Sequence, residues 1–327
     1  MVHLEMFTLD FNEAAVGGTL FTRLRNMEEL LGFRQLYAKF EAGNPTGTMK
    51  DRASYAILDY AKGQGYTAVA VASCGNYGMS MVRLGRLFGL ETHVFIPRRY
   101  RSPRVEEMEG LGGRIHRTPG TYEDAVEACA LESLKQGWYN GNPGVGVNSE
   151  LSYRAYASIS REIVDSLGCA PHAVAVSTGN GTCLAGLHQG FKWLVGEGAI
   201  EGLPSMVACS TSGGNPIVSS FQRGERVVGE LEPSSVVETP VNEPIVNWRS
   251  LDGQAALDAL YESHGAAYAL DDEEMRQASR QLRMQEGLSV LPASAAALAG
   301  LSRYVEEARG GGEGIYVAVL TSRDYEG

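Results

Sequence analysis

Three runs of apolar residues constrain the fold of this 327-residue chain more than any other feature of its sequence. They lie at 68–72, 173–176 and 315–319 and consist of alanine, valine, isoleucine and tyrosine. A short, continuous apolar run between polar turns is typical of a strand that is buried on both faces of a parallel sheet. A glycine-containing loop and then a helical pattern follow the first two runs. The sequence therefore predicts an α/β fold built from strand–helix repeats.

The same alternation continues through much of the chain. We predict further strands at 36–40, 92–96 and 114–116, and helices at 51–64, 77–88, 103–109 and 122–136. A chain of 327 residues exceeds one ordinary core and suits two domains of roughly 100–200 residues each. In open α/β sheets, ligands bind beyond the carboxyl ends of the strands. The loops that follow the strands are therefore the first places to look for a functional site.

The charge balance and the cysteines narrow the classes of function. Lys and Arg total 28 and Asp and Glu total 39, and the net charge of −11 argues against a nucleic-acid or anionic-membrane surface. The five cysteines lack zinc-site spacing, and an odd, unpaired set indicates a reducing compartment. The sequence has neither a signal-peptide pattern nor an apolar stretch near the ~18 residues that cross a bilayer. We expect a cytoplasmic protein that binds no nucleic acid, membrane or metal.

The loop at 43–52 follows a predicted strand and presents Lys50 at the start of a predicted helix. A single lysine at such a junction is most often a solvated surface residue. Here the dense Asn-Pro-Thr-Gly run at 44–47 indicates a shaped loop. A lysine that is partly desolvated in such a loop becomes a nucleophile toward an aldehyde. Lys50 is therefore a candidate catalytic residue.

Two further loops also join a strand to a helix. The loop at 72–78 would direct backbone N–H groups toward an anion such as a carboxylate, although a tight structural turn explains it equally well when it is taken alone. The loop at 177–186 is rich in glycine, which lets a backbone approach a phosphate at a helix N-terminus. It matches neither the P-loop nor the dinucleotide-binding pattern. Neither a nucleoside triphosphate nor a dinucleotide is therefore indicated.

Together the three loops resemble those of fold-type II pyridoxal 5′-phosphate (PLP) enzymes, the family of tryptophan synthase β-subunits, cysteine synthases, serine/threonine dehydratases and threonine synthases. The resemblance extends from about Thr19 to Thr321 and is greatest to threonine synthases. It implies two three-layer α/β domains with mostly parallel sheets and with PLP between them. The large, PLP-binding domain would comprise 1–53 and 143–327, and the small, substrate-loop domain 54–142. It also implies a homodimer.

The resemblance assigns roles by position. Lys50 would form the Schiff base with PLP and act as general base and acid, Asn76 would contact the ring oxygen of the cofactor, and the Thr321 hydroxyl would lie beside the pyridine nitrogen. The residues predicted to bind the cofactor phosphate are Gly179, Asn180, Gly181, Thr182 and Cys183. The residues predicted to bind the substrate in the second loop are Ser73, Cys74, Gly75, Asn76 and Tyr77.

The segment at 148–154 resembles a threonine synthase stretch whose Ser and Arg bind the substrate phosphate, and Ser149 and Arg154 stand at the matching spacing. An arginine offers phosphate a planar, charge-assisted fork, although Arg154 is also explained as a solvated helix residue. Two residues depart from the family pattern. Tyr77 stands where Thr or Ala is usual, and Thr182 stands where Gly is usual. These departures affect the substrate side more than the cofactor side.

The resemblance therefore implies a PLP-dependent lyase that carries out β- or γ-elimination or replacement on an amino acid, with O-phosphohomoserine or O-phosphoserine as substrate. Two alternatives remain open. One is a serine/threonine dehydratase or a β-replacement enzyme of the cysteine or cysteate synthase type. The other is a non-catalytic amino-acid sensor, which would have no need to keep Lys50, Asn76, the glycine loop and Thr321 together.

Overall fold

A computed structural model describes residues 15–101, 103–307 and 312–325. The helices and strands follow in the order β1 (Phe21–Arg23), α1 (Arg25–Leu31), β2 (Phe33–Phe40), α2 (Lys50–Gly63), β3 (Ala68–Ala72), α3 (Asn76–Phe88), β4 (Glu91–Pro97), α4 (Pro103–Gly110), β5 (Arg114–Thr118), α5 (Tyr122–Gln136), β6 (Tyr139–Asn140), α6 (Asn148–Leu167), β7 (Ala173–Ser177), α7 (Thr182–Gly196), β8 (Ser205–Thr211), α8 (Pro216–Gln222), α9 (Gly253–Glu262), β9 (Ala266–Leu270), α10 (Asp272–Glu286), α11 (Pro292–Glu307) and β10 (Gly312–Leu320).

These elements form two compact units. The first contains Asn44–Ala155 and the described residues up to Gly17, and the second contains Gly18–Gly43 and the described residues from Tyr156 onward. The domain bounds given above, with 54–142 as the small domain, stay a prediction. None of the helices in the described ranges is long and apolar enough to cross a membrane.

The first unit is built on a parallel sheet of four strands in the order β5-β4-β3-β6. The central strand β3 is buried along its whole length. Because side chains alternate between the faces of a strand, Val69 and Val71 pack into one apolar cluster with helices α2 and α3, and Ala70 and Ala72 pack into another with α5. This unit therefore has a helix–sheet–helix arrangement of three layers.

The second unit is built on a sheet of six strands in the order β1-β2-β10-β7-β8-β9. Only β1 pairs antiparallel within this sheet, and it lies at one edge beside β2. Alternate residues of β7 and β10, such as Ala175 and Ala318, pack into one core with α1, α10 and α11. Thr178 and Thr321 follow β7 and β10 directly, so both lie at the carboxyl edge of the sheet, where α/β folds bind ligands.

The predicted α/β fold with mostly parallel sheets is confirmed. Every strand that the sequence predicts coincides with a strand of the structure, and the predicted helices at 51–64, 77–88, 103–109 and 122–136 correspond to α2, α3, α4 and α5. The sequence pattern does not predict the four strands β1, β6, β8 and β9.

Candidate functional site

The lysine loop, 44–50, is closed by its own hydrogen bonds. Gly47 N donates to Asn44 O at 2.8 Å, and Gly47 has a left-handed φ of 76°. The fully buried Asp51 carboxylate accepts hydrogen bonds from Thr46 N at 2.7 Å and from Thr46 Oγ1 at 2.6 Å. Lys50 is the first residue of α2, directly before Asp51. The carboxylate therefore fixes the path of the loop that delivers Lys50.

The substrate loop, 73–77, turns the chain from β3 into α3. Ser73 Oγ accepts a hydrogen bond from Gly78 N at 2.9 Å, and Gly75 O accepts one from Met79 N at 3.1 Å. A Cβ on Gly78 would lie 2.7 Å from Ser73 O, so only glycine fits there without a shift of the backbone. Asn76 is the first residue of the 13-residue helix α3. The loop thus places the Asn76 side chain at the carboxyl edge of the sheet, where the sequence predicts a ligand.

Tyr77 and Cys74 are packed rather than open side chains. The Tyr77 hydroxyl donates a hydrogen bond to Gly141 O at 2.5 Å, and burial raises the pKa of Tyr77 above its usual value. It therefore stays a protonated donor. Cys74 is 9% exposed and belongs to the apolar core of the unit. Substrate contacts of these two side chains stay a prediction.

Arg104 of α4, which no sequence motif indicates, contacts both of these loops. Its Nη2 donates to Thr46 O and to Asn76 Oδ1, each at 3.2 Å, and its Nη1 pairs with Glu107 Oε2 at 2.7 Å. Because a guanidinium only donates hydrogen bonds, it requires the acceptor oxygen of Asn76 to face it. The Asn76 Nδ2 group is then oriented as a donor toward the other side, as contact with a cofactor oxygen would require.

Helix α6 begins with the segment that resembles the phosphate-binding stretch. Asn148 is fully buried, and its Nδ2 donates to Asn140 O at 3.0 Å and to Asn142 O at 2.8 Å. The side chain therefore anchors the start of the helix to the loop before it. Ser149 and Arg154 lie in the next turns and are both partly exposed. Their role in binding phosphate stays a prediction.

The glycine loop, 178–181, joins β7 to the 15-residue helix α7 in the second unit. Gly181 has a left-handed φ of 90°, and a Cβ there would lie 2.7 Å from Ala256 Cβ and 2.9 Å from Ile217 Cδ1. A Cβ on Gly179 would lie 3.1 Å from Pro244 O. Position 181 therefore needs glycine for backbone shape and for space, and Gly179 packs closely against the backbone of Pro244.

Polar side chains hold the two ends of the glycine loop. Thr182 Oγ1 donates to Asp252 Oδ2 at 2.5 Å, and Asn180 Oδ1 accepts from Asn247 Nδ2 at 3.1 Å. The Thr182 hydroxyl that replaces the usual glycine is thus engaged by a carboxylate of the same unit. Cys183 is buried at the start of α7, where its backbone lies in the first turn of the helix.

Thr321 lies in a cluster of three buried hydroxyls. Its Oγ1 is 3.0 Å from Ser177 Oγ and 3.3 Å from Ser294 Oγ, and Ser294 Oγ also accepts a hydrogen bond from Ser322 N at 3.1 Å. Ser177 is the last residue of β7, so the contact brings Thr321 beside the start of the glycine loop. The cluster contains neutral side chains, as the prediction of a hydroxyl at the pyridine nitrogen requires.

Comparison with known proteins defines the class. The family of pyridoxal-phosphate dependent enzymes matches residues 13–322, and the chain belongs to this family. Its cofactor is PLP, and its fold is that of the fold-type II enzymes.

Among individual proteins, threonine synthase of Methanocaldococcus jannaschii is 32% identical over 302 residues, which cover 89% of this chain and 70% of that protein. Threonine synthase of a Bacillus species is 29% identical over 93% of this chain and 82% of that protein. The processed form of threonine deaminase isoform 2 from Solanum lycopersicum has a similar structure, with a TM-score of 0.79 at 18% identity over 96% of this chain and 86% of that one. At this low identity the structural likeness shows the fold alone.

The glycine loop fits the phosphate of PLP. Gly181, with its left-handed φ of 90°, turns the chain tightly just before α7. The loop leads into the N-terminus of α7, where N–H groups of the first turn have no intrahelical acceptor and the helix dipole favours an anion. In the described ranges, no group of three or more His, Cys, Asp or Glu side chains could hold a metal ion.

Proposed function

We propose that the protein is a carbon–oxygen lyase that removes phosphate from an amino acid with a phosphorylated side chain, by β- or γ-elimination or replacement. O-Phosphohomoserine and O-phosphoserine are the two substrates to test. The similarity to threonine synthases over 89% of the chain supports this choice. The observation that carries it is the buried Arg104 guanidinium, which lies at the meeting point of the lysine loop and the substrate loop.

A buried guanidinium beside a substrate loop favours an anionic substrate, because it supplies positive charge where solvent screening is weak. Arg154 would add a second guanidinium for the phosphate, with Ser149 as a hydroxyl donor. The chain as a whole carries a charge of −11. Local arginines are therefore needed to hold an anion against the overall field.

Each remaining residue has a role in this proposal. PLP, when bound, supplies an electron sink for negative charge at the substrate α-carbon. Lys50 attaches the cofactor, and its released Nζ removes and returns the α-proton. The N–H groups of the substrate loop bind the substrate carboxylate, and Asn76 Nδ2 donates to the cofactor oxygen. Thr321 would hold the pyridine nitrogen with a neutral hydroxyl, and the cofactor would then be a weaker sink that is suited to elimination. Homodimerisation stays a prediction from the resemblance.

The test is a comparison of products from four substrates: O-phosphohomoserine, O-phosphoserine, threonine and serine. We expect phosphate release from one phosphorylated substrate, and visible cofactor absorption that Lys50→Ala abolishes. Keto acid from threonine or serine, without any requirement for phosphate, would identify a dehydratase instead. A protein that stays colourless with added PLP would favour the sensor alternative.

Substitutions of two arginines on helix α6 distinguish a role in phosphate binding from a general loss of protein stability. We expect Arg154→Gln to raise KM for the phosphorylated substrate by about 10- to 100-fold, as the loss of a charge-assisted hydrogen bond implies. Arg161→Gln is the matched control, because Arg161 lies on the same helix and pairs with Glu197. Equal effects of both variants would remove Arg154 from the proposed site.

A further inference from the structure

The Asn215 side chain lies under the glycine loop and is 1% exposed. Its Nδ2 group donates to Thr178 O at 3.1 Å and to Gly179 O at 3.0 Å. The same group also lies 3.2 Å from Ile245 O and 3.0 Å from Asn247 Oδ1. One buried amide therefore holds two successive carbonyl groups of the glycine loop and joins them to the segment at 245–247.

The orientation of this amide is fixed from its other end. Asn215 is the N-cap of α8, and its Oδ1 accepts hydrogen bonds from Ile217 N at 3.0 Å and Val218 N at 3.2 Å. The carbonyl oxygen must face these two N–H groups, because an amide NH₂ cannot accept them. The Nδ2 group is thus left to face the carbonyl groups of Thr178 and Gly179.

The two bonds also orient N–H groups. The described residues contain no cis peptide bond, and in a trans peptide the C=O and N–H of one plane point in opposite directions. When Asn215 holds Thr178 O and Gly179 O, the N–H groups of Gly179 and Asn180 must therefore point away from it. Within the described ranges, neither N–H has an acceptor. Two adjacent amides with this direction are suited to bind an anion.

We infer that Asn215 is a positioning residue for the cofactor phosphate: by binding the carbonyl groups of Thr178 and Gly179, it turns the N–H groups of Gly179 and Asn180 toward the phosphate. The inference rests on the proposed placement of the phosphate in the glycine loop. It does not depend on which amino acid is the substrate.

Two substitutions of Asn215 retain its cap on α8 and remove its donor. Asn215→Ser leaves a hydroxyl oxygen, a good N-cap, but is too short to hold both carbonyl groups. Asn215→Asp is nearly isosteric but places a carboxylate against two carbonyl oxygens. Asn242→Ser is the matched control, because Asn242 is a buried amide of the same unit that donates to Thr211 Oγ1 and Val237 O instead of to the loop.

The experiment measures the dissociation constant of PLP by absorbance titration, together with hydrogen exchange of the peptide that covers 177–183 in the PLP-free protein. We expect Asn215→Ser to weaken PLP binding by about 10- to 30-fold, as the loss of two oriented hydrogen bonds implies, and to speed exchange at 179–180. Asn215→Asp should weaken it further. Asn242→Ser should reduce thermal stability to a similar extent without changing the PLP constant by more than about twofold.

Equal PLP constants for Asn215→Ser and Asn242→Ser would overturn the inference and leave the proposed function intact, because substrate plays no part in the titration. A failure of every phosphorylated substrate, with the tenfold difference retained, would overturn the proposed function alone. A wild-type protein that takes up no PLP would overturn both.

Discussion

The lysine loop and the substrate loop, together the lysine-side loops, form fixed turns between a strand and a helix, as the glycine loop does, but with different chemistry. In the first unit the turn is held by ionised groups: the Asp51 carboxylate binds Thr46, and the Arg104 guanidinium binds Thr46 O and Asn76 Oδ1. In the second unit the loop carbonyl groups and Asn180 are held by the neutral amides of Asn215 and Asn247, and the Asp252 carboxylate accepts a hydrogen bond from Thr182 at the start of α7.

The difference follows from what each loop would bind. PLP phosphate carries its own negative charge, and backbone N–H groups of a helix start bind such a group without a formal cation. A carboxylate in place of the Asn215 amide would repel both the carbonyl groups of the loop and the ligand. The substrate loop would also bind an anion, the substrate carboxylate, but the buried charge that contacts it is the Arg104 guanidinium, which favours an anion and gives directional contacts. The glycine loop is therefore sensitive to shape, and the lysine-side loops are sensitive to the geometry of charge.

The largest effect should come from adding one methyl group to the glycine loop. In Gly181→Ala, the left-handed backbone costs about 1–2 kcal/mol, and the collision with Ala256 and Ile217 adds about 1–3 kcal/mol. We expect PLP binding to weaken by about 100-fold or more, measured by absorbance titration. Gly198→Ala is the matched control, since Gly198 also has a left-handed φ, of 72°, but open space around its Cβ position.

Gly198→Ala should lose about 1 kcal/mol of stability through its backbone conformation and leave PLP binding unchanged. If the two alanine variants bind PLP equally well, the glycine loop is not governed by shape. The contrast between the two units would then have to be abandoned.

A smaller effect, on catalysis, is expected when the cation of the first unit keeps its positive charge but loses the planar shape of a guanidinium. Arg104→Lys keeps a cation but cannot reach Thr46 O, Asn76 Oδ1 and Glu107 together with one ammonium group. We expect kcat/KM to fall by about tenfold and the absorption maximum of the bound cofactor to shift, because Asn76 loses its orienting donor. Steady-state kinetics and the visible spectrum of the variant measure these effects.

Glu107→Gln provides the control for Arg104→Lys. The Glu107 side chain is 50% exposed, so loss of this ion pair should change kcat/KM by less than about twofold. A spectrum and rate for Arg104→Lys that match those of Glu107→Gln would show that the guanidinium acts only as a surface partner of Glu107.

Burial on both faces makes some strands easy to predict from the sequence, but it does not do so for every buried strand. Strand β3 is apolar along its whole length because both of its faces are buried, and this leaves a visible run in the sequence. Strand β8 is just as buried but ends in Ser210 and Thr211. These hydroxyls are satisfied by Ile245 O and Asn242 Nδ2 from a distant segment. A sequence pattern shows the polarity of such residues and not the partners that make their burial possible.

The same limit applies to the site. Lys50, Asn76 and the glycine loop could be predicted because they lie in short motifs with a fixed order. Arg104 stands in an arginine-rich run that indicates a solvated segment, and its burial depends on loops 58 and 28 residues away in sequence. Asn215 stands between two glycines and a proline, a pattern typical of a surface turn. Both roles arise from long-range packing, which no local pattern records.

The last of these effects concerns the stability of the folded protein at acidic pH. His188 of α7 is buried, and burial lowers the pKa of its imidazole to about 4, with Glu262 opposing the shift and Lys192 supporting it. The folded protein therefore keeps His188 neutral. Below the usual pKa of about 6.5, the unfolded chain binds a proton that the folded chain excludes. Stability should fall as the pH decreases from about 6.5 toward about 4.

His188→Gln removes this one titration and keeps the ion pair of Lys192 with Glu262, so it isolates the histidine. Between about pH 7.5 and about pH 5, we expect the wild-type protein to lose about 1–2 kcal/mol more unfolding free energy than the variant, measured by urea denaturation. If both proteins lose the same unfolding free energy, the group that takes up the proton is not His188.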